Sequence, residues 1–138
     1  MARSRLTRVA LLGTGILVVL AVAGPWAMFR EARHYSVEEV NAKLEADEDL
    51  VLVDVRTEPE YAGALGTLPG VKLIPLDELE ERLDELEPHR GREIVLVCRT
   101  QNRSRAAAAL LRHHGFRNLA VMDGGMKAWR AMEEQEQE

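Results

Sequence analysis

The chain has 138 residues, 18 basic and 23 acidic, for a net charge of −5, and it holds one cysteine. A single cysteine excludes an internal disulfide, and the acidic balance argues against nucleic acid as a partner, because neutralising phosphates needs a basic face. The hundred or so residues outside an apolar N-terminal stretch suffice for one compact domain and not two.

That stretch, Val9 to Phe29, reads VALLGTGILVVLAVAGPWAMF: 21 residues without Asp, Glu, Lys or Arg. Roughly 20 apolar residues cross a bilayer as a helix, and no polar face marks this one as part of a soluble core. Two readings stand. One is a retained transmembrane anchor; the other is a signal peptide cut after the small-x-small triplet Ala21-Val22-Ala23. Apolar character running on through Trp26, Met28 and Phe29 favours the anchor. Arg3, Arg5 and Arg8 precede the run, and Arg30, Arg33 and Lys43 follow it, which leaves the orientation open. Residues 31–138 carry 14 basic and 23 acidic groups, a net −9, which speaks against the domain lying on anionic lipid. The expected organisation is a basic flank and anchor (or signal peptide) over 1–30, a folded domain over 31–133, and a mobile acidic tail over 134–138. The expected location is the membrane through residues 9–29, or the exported soluble space after cleavage.

In chain order, Glu31 to Tyr35 reads as a polar connection. Ser36-Val37-Glu38-Glu39 is a capping box, and Val37, Val40 and Leu44 give a helical stripe to about Ala46. Leu50 to Val55 is a continuous apolar run, the mark of a strand covered on both faces. Glu58 to Ala64 reads as a short helix with Pro59 in its first turn, and Val71 to Ile74 as a second strand. Leu76, Leu79, Leu83 and Leu86 recur among acids, predicting a surface helix with one apolar seam. Glu93 to Val97 is a third strand, Arg103 to His114 a helix closed by Gly115, Leu119 to Met122 a strand, and Gly125 to Met132 a last helix. Alternating strands and helices imply an α/β fold, a mainly parallel sheet with helices on both faces. Sites in such sheets form beyond the carboxyl ends of the strands.

Cys98 lies at such an end. Alone, a single cysteine is more often a small buried hydrophobe than a reagent. Its neighbours reverse this. The loop Cys98-Arg99-Thr100-Gln101-Asn102-Arg103 joins a strand end to a helix start. A tight loop there turns backbone N–H groups inward as an anion-binding concavity, and the helix N-terminus adds partial positive charge. Arg99 and Arg103 add full charges. Together these are expected to lower the thiol pKa below its free value of about 8.5, giving a nucleophilic thiolate. Ser104 is placed to be an N-cap. No second cysteine is present to resolve an oxidised one, which excludes a thioredoxin-like role. A phosphatase cradle has five residues between cysteine and arginine; here four separate Cys98 from Arg103, one too few for phosphate by that comparison.

From His34 to Trp129 the chain resembles a single-domain rhodanese, a thiosulfate-type sulfurtransferase. Asp54-Val55-Arg56 with Glu60-Tyr61 resembles the family's first signature. Cys98 to Ser104 resembles its six-residue active loop with the trailing serine. Asp123-Gly124-Gly125-Met126-Lys127-Ala128-Trp129 resembles the closing G-G-x-x-x-W. The resemblance implies a persulfide on Cys98, loop amides as the sulfur cradle, and Arg99 and Arg103 helping to bind an anionic donor. It implies no metal or organic cofactor. Partners would be a small anionic sulfur donor and a thiol, cyanide-like or protein acceptor. The rival functions are a non-catalytic persulfide carrier or membrane scaffold, and a phosphatase- or arsenate-reductase-like activity. Two departures stand out. Gln101 occupies a position where the family commonly has glycine, which bears on donor choice. Tyr61 to Gly70 is about two residues longer than usual, with Thr67 where histidine is common.

The remaining marked residues have structural readings. Asp54 and Arg56 are expected to order a loop by hydrogen bonds. Gly124-Gly125 would permit a tight turn, and Trp129 would sit in the core. His113 and His114 suit a helix C-terminus and lack spaced partners for zinc. Asp77 to Glu87 reads as a solvated acidic face.

Overall fold

A computed structural model describes residues 31–138. The apolar run over 9–29, and with it the choice between anchor and signal peptide, lies outside the described residues. Among the described residues no helix is long and apolar enough to cross a membrane.

Five strands form one sheet in the order β1-β5-β4-β2-β3. They are β1 (Arg33–Tyr35), β2 (Leu50–Asp54), β3 (Lys72–Leu73), β4 (Glu93–Val97) and β5 (Leu119–Met122). Every pairing is parallel. Val51 to Asp54, Ile94 to Val97 and all of β5 are buried, as uninterrupted aliphatic runs require when helices cover both faces. In register, Asp54 pairs with both Val97 and Leu73. The carboxyl ends of β2, β3 and β4 therefore meet at one edge, the edge that holds Cys98.

Four α-helices complete the layers: α1 (Val37–Glu45), α2 (Glu58–Tyr61), α3 (Asn102–His113) and α4 (Gly125–Glu136). One core joins Ala107, Ala108 and Leu111 of α3 to Val51, Val53, Ile94, Leu96 and Val121 of the sheet. The other joins Val37 and Val40 of α1, and Met126 and Trp129 of α4, to Leu52, Val95 and Met122. The sheet is thus dressed by α3 on one side and by α1 and α4 on the other. Ser36 caps α1 in a full capping box with Glu39, satisfying amides that a helix start leaves unpaired.

Several expectations need correction. Residues 33–35 are an edge strand, not a polar connection: Arg33 faces Ala120 in register, and Tyr35 Oη donates to Glu93 at 2.8 Å. An edge strand needs apolar contact on fewer sides, so its polar sequence concealed it. The leucine-rich segment 76–89 is not a helix with one seam but turns and two 3-10 stretches, Leu83–Glu85 and Glu87–His89. Its leucines still point inward, Leu79 and Leu86 fully buried. Spacings of three suit 3-10 turns as well as α-helix, and crowded carboxylates at i, i+3 and i+4 repel within an α-helix. The second strand shrinks to Lys72–Leu73 and the helix at 58 to one turn. The last helix runs beyond Met132 to Glu136, so most of the exposed acidic segment over 134–138 is helical, with Arg130 bonded to Glu133 and Glu134.

Candidate active site

Cys98 follows the last residue of β4 and is only 1% exposed. The backbone around it is arranged unequally. Its carbonyl accepts from the N–H of Met126 at 2.8 Å, the Arg99 carbonyl from Lys127 at 3.1 Å, and the Gln101 carbonyl from Arg105 at 3.0 Å. Among the described residues, no N–H from Arg99 to Ser104 donates to any protein acceptor. Those of Asn102, Arg103 and Ser104 belong to the unpaired first turn of α3; those of Arg99, Thr100 and Gln101 extend the set into the loop. With three carbonyls bonded elsewhere, the loop keeps a run of donors for an anion.

The bond from α4 to the loop depends on Gly125. Its φ is +58°, and a Cβ there would lie far inside van der Waals contact with the carbonyl oxygens of Thr100 and Cys98. Gly124, at φ +77°, is the N-cap of α4. The glycine pair therefore allows a close backbone approach as well as a turn. Sequence reading found the turn and missed the approach, because no spacing in one segment reports what another segment packs against.

Gln101 is part of this join. Its Oε1 accepts from the Gly124 N–H at 3.3 Å, tying the loop to the β5–α4 turn. Its φ of −158° is extended backbone, so this position does not demand glycine. Gln101, not Ser104, is the N-cap of α3, which begins at Asn102. Ser104 sits inside the first turn, fully buried, and its Oγ has no partner among the described residues. Thr100, Asn102 and Arg99 are exposed.

Beside the loop stand two carboxylate–arginine pairs. Asp54 and Arg56 are both completely buried. The Arg56 Nε and Nη2 donate to Asp54 at 2.7–3.1 Å, and the Arg56 N–H to Asp54 Oδ1 at 2.9 Å. The guanidinium also donates to the carbonyls of Glu60 at 3.2 Å and Gly66 at 2.8 Å. It thereby fixes α2 and the segment after it. Arg103 faces the other pair: its Nη1 and Nη2 lie 2.6 and 2.7 Å from the two oxygens of Glu60. Arg103 holds the Glu60 carboxyl down to about 2, with the Thr57 amide and hydroxyl adding to the effect. Both side chains are about one-third exposed, at 31% and 33%. The sequence placed Glu60 in a motif without giving it a partner.

A cleft of about 390 Å³ adjoins Arg103, lined by Val55, Thr57, Pro75, Leu76 and Asp77. Among the described residues no cluster of His, Cys, Asp and Glu is arranged to hold a metal ion.

Residues 36–132 match the model of the Rhodanese-like domain family. A sulfurtransferase of Allochromatium vinosum is 33% identical over 92 residues, covering 67% of this chain and 82% of its own length. A Bacillus subtilis protein, YrkF, whose given name is that of a sulfur carrier, is 37% identical over 94 residues, and the match spans about half of it, 49%. Among solved structures, a rhodanese-like domain protein from Staphylococcus aureus superposes with a TM-score of 0.64 at 30% identity, covering 70% of this chain and 90% of that one.

Proposed function

The chain belongs to the rhodanese-like family, and from that membership we propose that it transfers sulfane sulfur through a persulfide on Cys98. The observation that carries the reading is the loop around the buried thiol, where the Cys98, Arg99 and Gln101 carbonyls are bonded and, among the described residues, the amides from Arg99 to Ser104 are not. Such donors stabilise a thiolate and then the terminal sulfur of a persulfide. The Cys98 thiolate attacks the outer sulfur of the donor. The new S–S bond forms as the old one breaks, and the electron pair leaves with the inner group, sulfite from thiosulfate or a thiolate from an organic persulfide. No outside oxidant or reductant enters. A nucleophilic acceptor, a thiol or cyanide, then takes the outer sulfur and regenerates Cys98. Arg99 faces solvent beside the loop as a cation for the donor, and Asp54 with Arg56 holds the neighbouring segment in place. The apolar run over 9–29 would tether this chemistry to a membrane, tested by resistance to alkaline carbonate extraction.

The test is intact mass spectrometry after exposure to thiosulfate or a persulfide donor. Wild type gains one sulfur and Cys98→Ser gains none. Equal gains in the two, or a gain in neither, would sink the reading. The likeness to a protein named as a sulfur carrier favours a second reading, in which the persulfide passes only to a partner protein. Repeated turnover with cyanide separates the two: the transferase turns over and the carrier loads once.

A further inference from the structure

Resting on the sulfurtransferase reading, we infer that Glu60 sets the charge preference of the site, directing it toward organic persulfides of low charge and away from dianionic donors such as thiosulfate. Two independent observations lead there. The first is the bidentate contact: both terminal nitrogens of Arg103 are engaged by the two oxygens of Glu60. An arginine used in this way has its fork-shaped donor face filled. It brings no net charge to the loop, since the carboxylate cancels it at contact distance. Arg99 is then the one arginine between Cys98 and Ser104 without an ion-pair partner among the described residues. A single uncompensated cation matches a donor with one negative charge better than one with two.

The second observation is the cleft beside Arg103. Its walls are Val55, Pro75 and Leu76, and its free charge is the carboxylate of Asp77. Thiosulfate has no body to fill such a space and would meet Asp77 with like charge. An organic persulfide has an apolar arm for the cleft while its terminal sulfur lies in the amide loop. Glu60 acts through Arg103 and not on the reacting sulfur, so it is a positioning residue. Thr57 keeps it in place: the Thr57 N–H and hydroxyl donate to Glu60 Oε2 at 3.1 and 3.0 Å.

The experiment measures initial rates of one-sulfur mass gain on Cys98 in the full chain. The donors are thiosulfate and the persulfide of N-acetylcysteine methyl ester, which carries no carboxylate. Their intrinsic reactivities differ, so the diagnostic is the change in the rate ratio between variants. Glu60→Gln keeps the shape and frees the Arg103 charge. It is expected to raise kcat/KM for thiosulfate about tenfold through KM, and to leave the persulfide rate within about twofold. Glu60→Asp, which keeps the charge, should stay near the wild-type ratio. Wild type gives a second measure that needs no variant to fold. Its thiosulfate rate should fall only shallowly with added salt, because the Arg103 charge is cancelled by Glu60 and Arg99 alone within the loop faces the dianion. A steep fall with salt in wild type, or an unchanged ratio in Glu60→Gln, overturns the inference while sulfur loading itself stands. No loading of wild type by either donor overturns the sulfurtransferase reading and this inference with it.

Discussion

Two carboxylate–arginine pairs stand within a few residues of one another beside the Cys98 loop, and they do opposite things with the same chemistry. Asp54–Arg56 has side-chain exposures of 0% and 1%, and Glu60–Arg103 has 31% and 33%. In the buried pair every guanidinium nitrogen of Arg56 is spent inside the protein, on Asp54 and on two backbone carbonyls. Its charge never reaches a substrate. The outer pair borders a cleft and the active loop, where cancelling or releasing one charge changes what an anion meets. Burial, not residue type, separates a structural pin from a selector. Desolvation also makes the first pair costly to break and the second cheap.

The sharpest way to break the comparison is to remove one member of the buried pair. Asp54→Ala leaves the Arg56 charge buried without its counter-ion, a change expected to cost about 3–5 kcal/mol. For a domain of this size that lowers the melting midpoint by about 12 °C or more. Differential scanning calorimetry reads it directly. A shift of only a degree or two would mean that Arg56 finds water, and that the two pairs are not different in kind. Next in size is Gly125→Ala. The positive φ alone costs an alanine about 1 kcal/mol or more, and the methyl group must push the Cys98–Thr100 backbone away from α4. The expected result is a loss of about 2–3 kcal/mol in urea denaturation together with slower loading of Cys98. Unaltered loading in a folded Gly125→Ala protein would show that the bonds from α4 do not hold the loop.

Much of this is legible in the sequence where physics is local. The aliphatic runs of β2, β4 and β5, the capping box at Ser36 and the strand-end position of Cys98 all follow from neighbours a few residues apart. Where they point to the same edge, residue order alone locates the site. The failures are of two kinds. Residues 33–35 form an edge strand whose polar side chains carry no apolar period, and residues 76–89 have leucine spacings that two helix types share. The site itself is legible as a loop but not as a set of contacts. Glu60 on Arg103, Gln101 on Gly124 and Gly125 against Thr100 each join segments more than 20 residues apart. No periodicity encodes such meetings, and the pairing of Glu60 in particular turns an arginine expected to bind anions into one already occupied.

The smallest effect is the most discriminating for the outer pair, because it asks whether Glu60 works through charge. Its carboxyl in the folded protein is held at about 2, below the 4.5 of an unperturbed glutamate, chiefly by Arg103. A group with a depressed folded value contributes stability that is present in full above its unfolded value. That contribution fades as the pH falls from about 4.5 toward 2. At one-third exposure solvent screens the pair, so its worth at pH 7 is under about 1 kcal/mol. Glu60→Gln should therefore be slightly less stable than wild type at pH 7, and the gap should narrow below about 4.5 and close as the pH falls through about 2, where the wild-type carboxyl takes up its proton. Other carboxylates titrate in the same range, Glu85 among them, but they are common to both proteins and cancel in the difference. Urea denaturation of the two proteins at matched pH and ionic strength supplies that difference. A gap that stays constant across the acid range would assign the role of Glu60 to its hydrogen bonds with Thr57, and the ion pair with Arg103 would then be incidental.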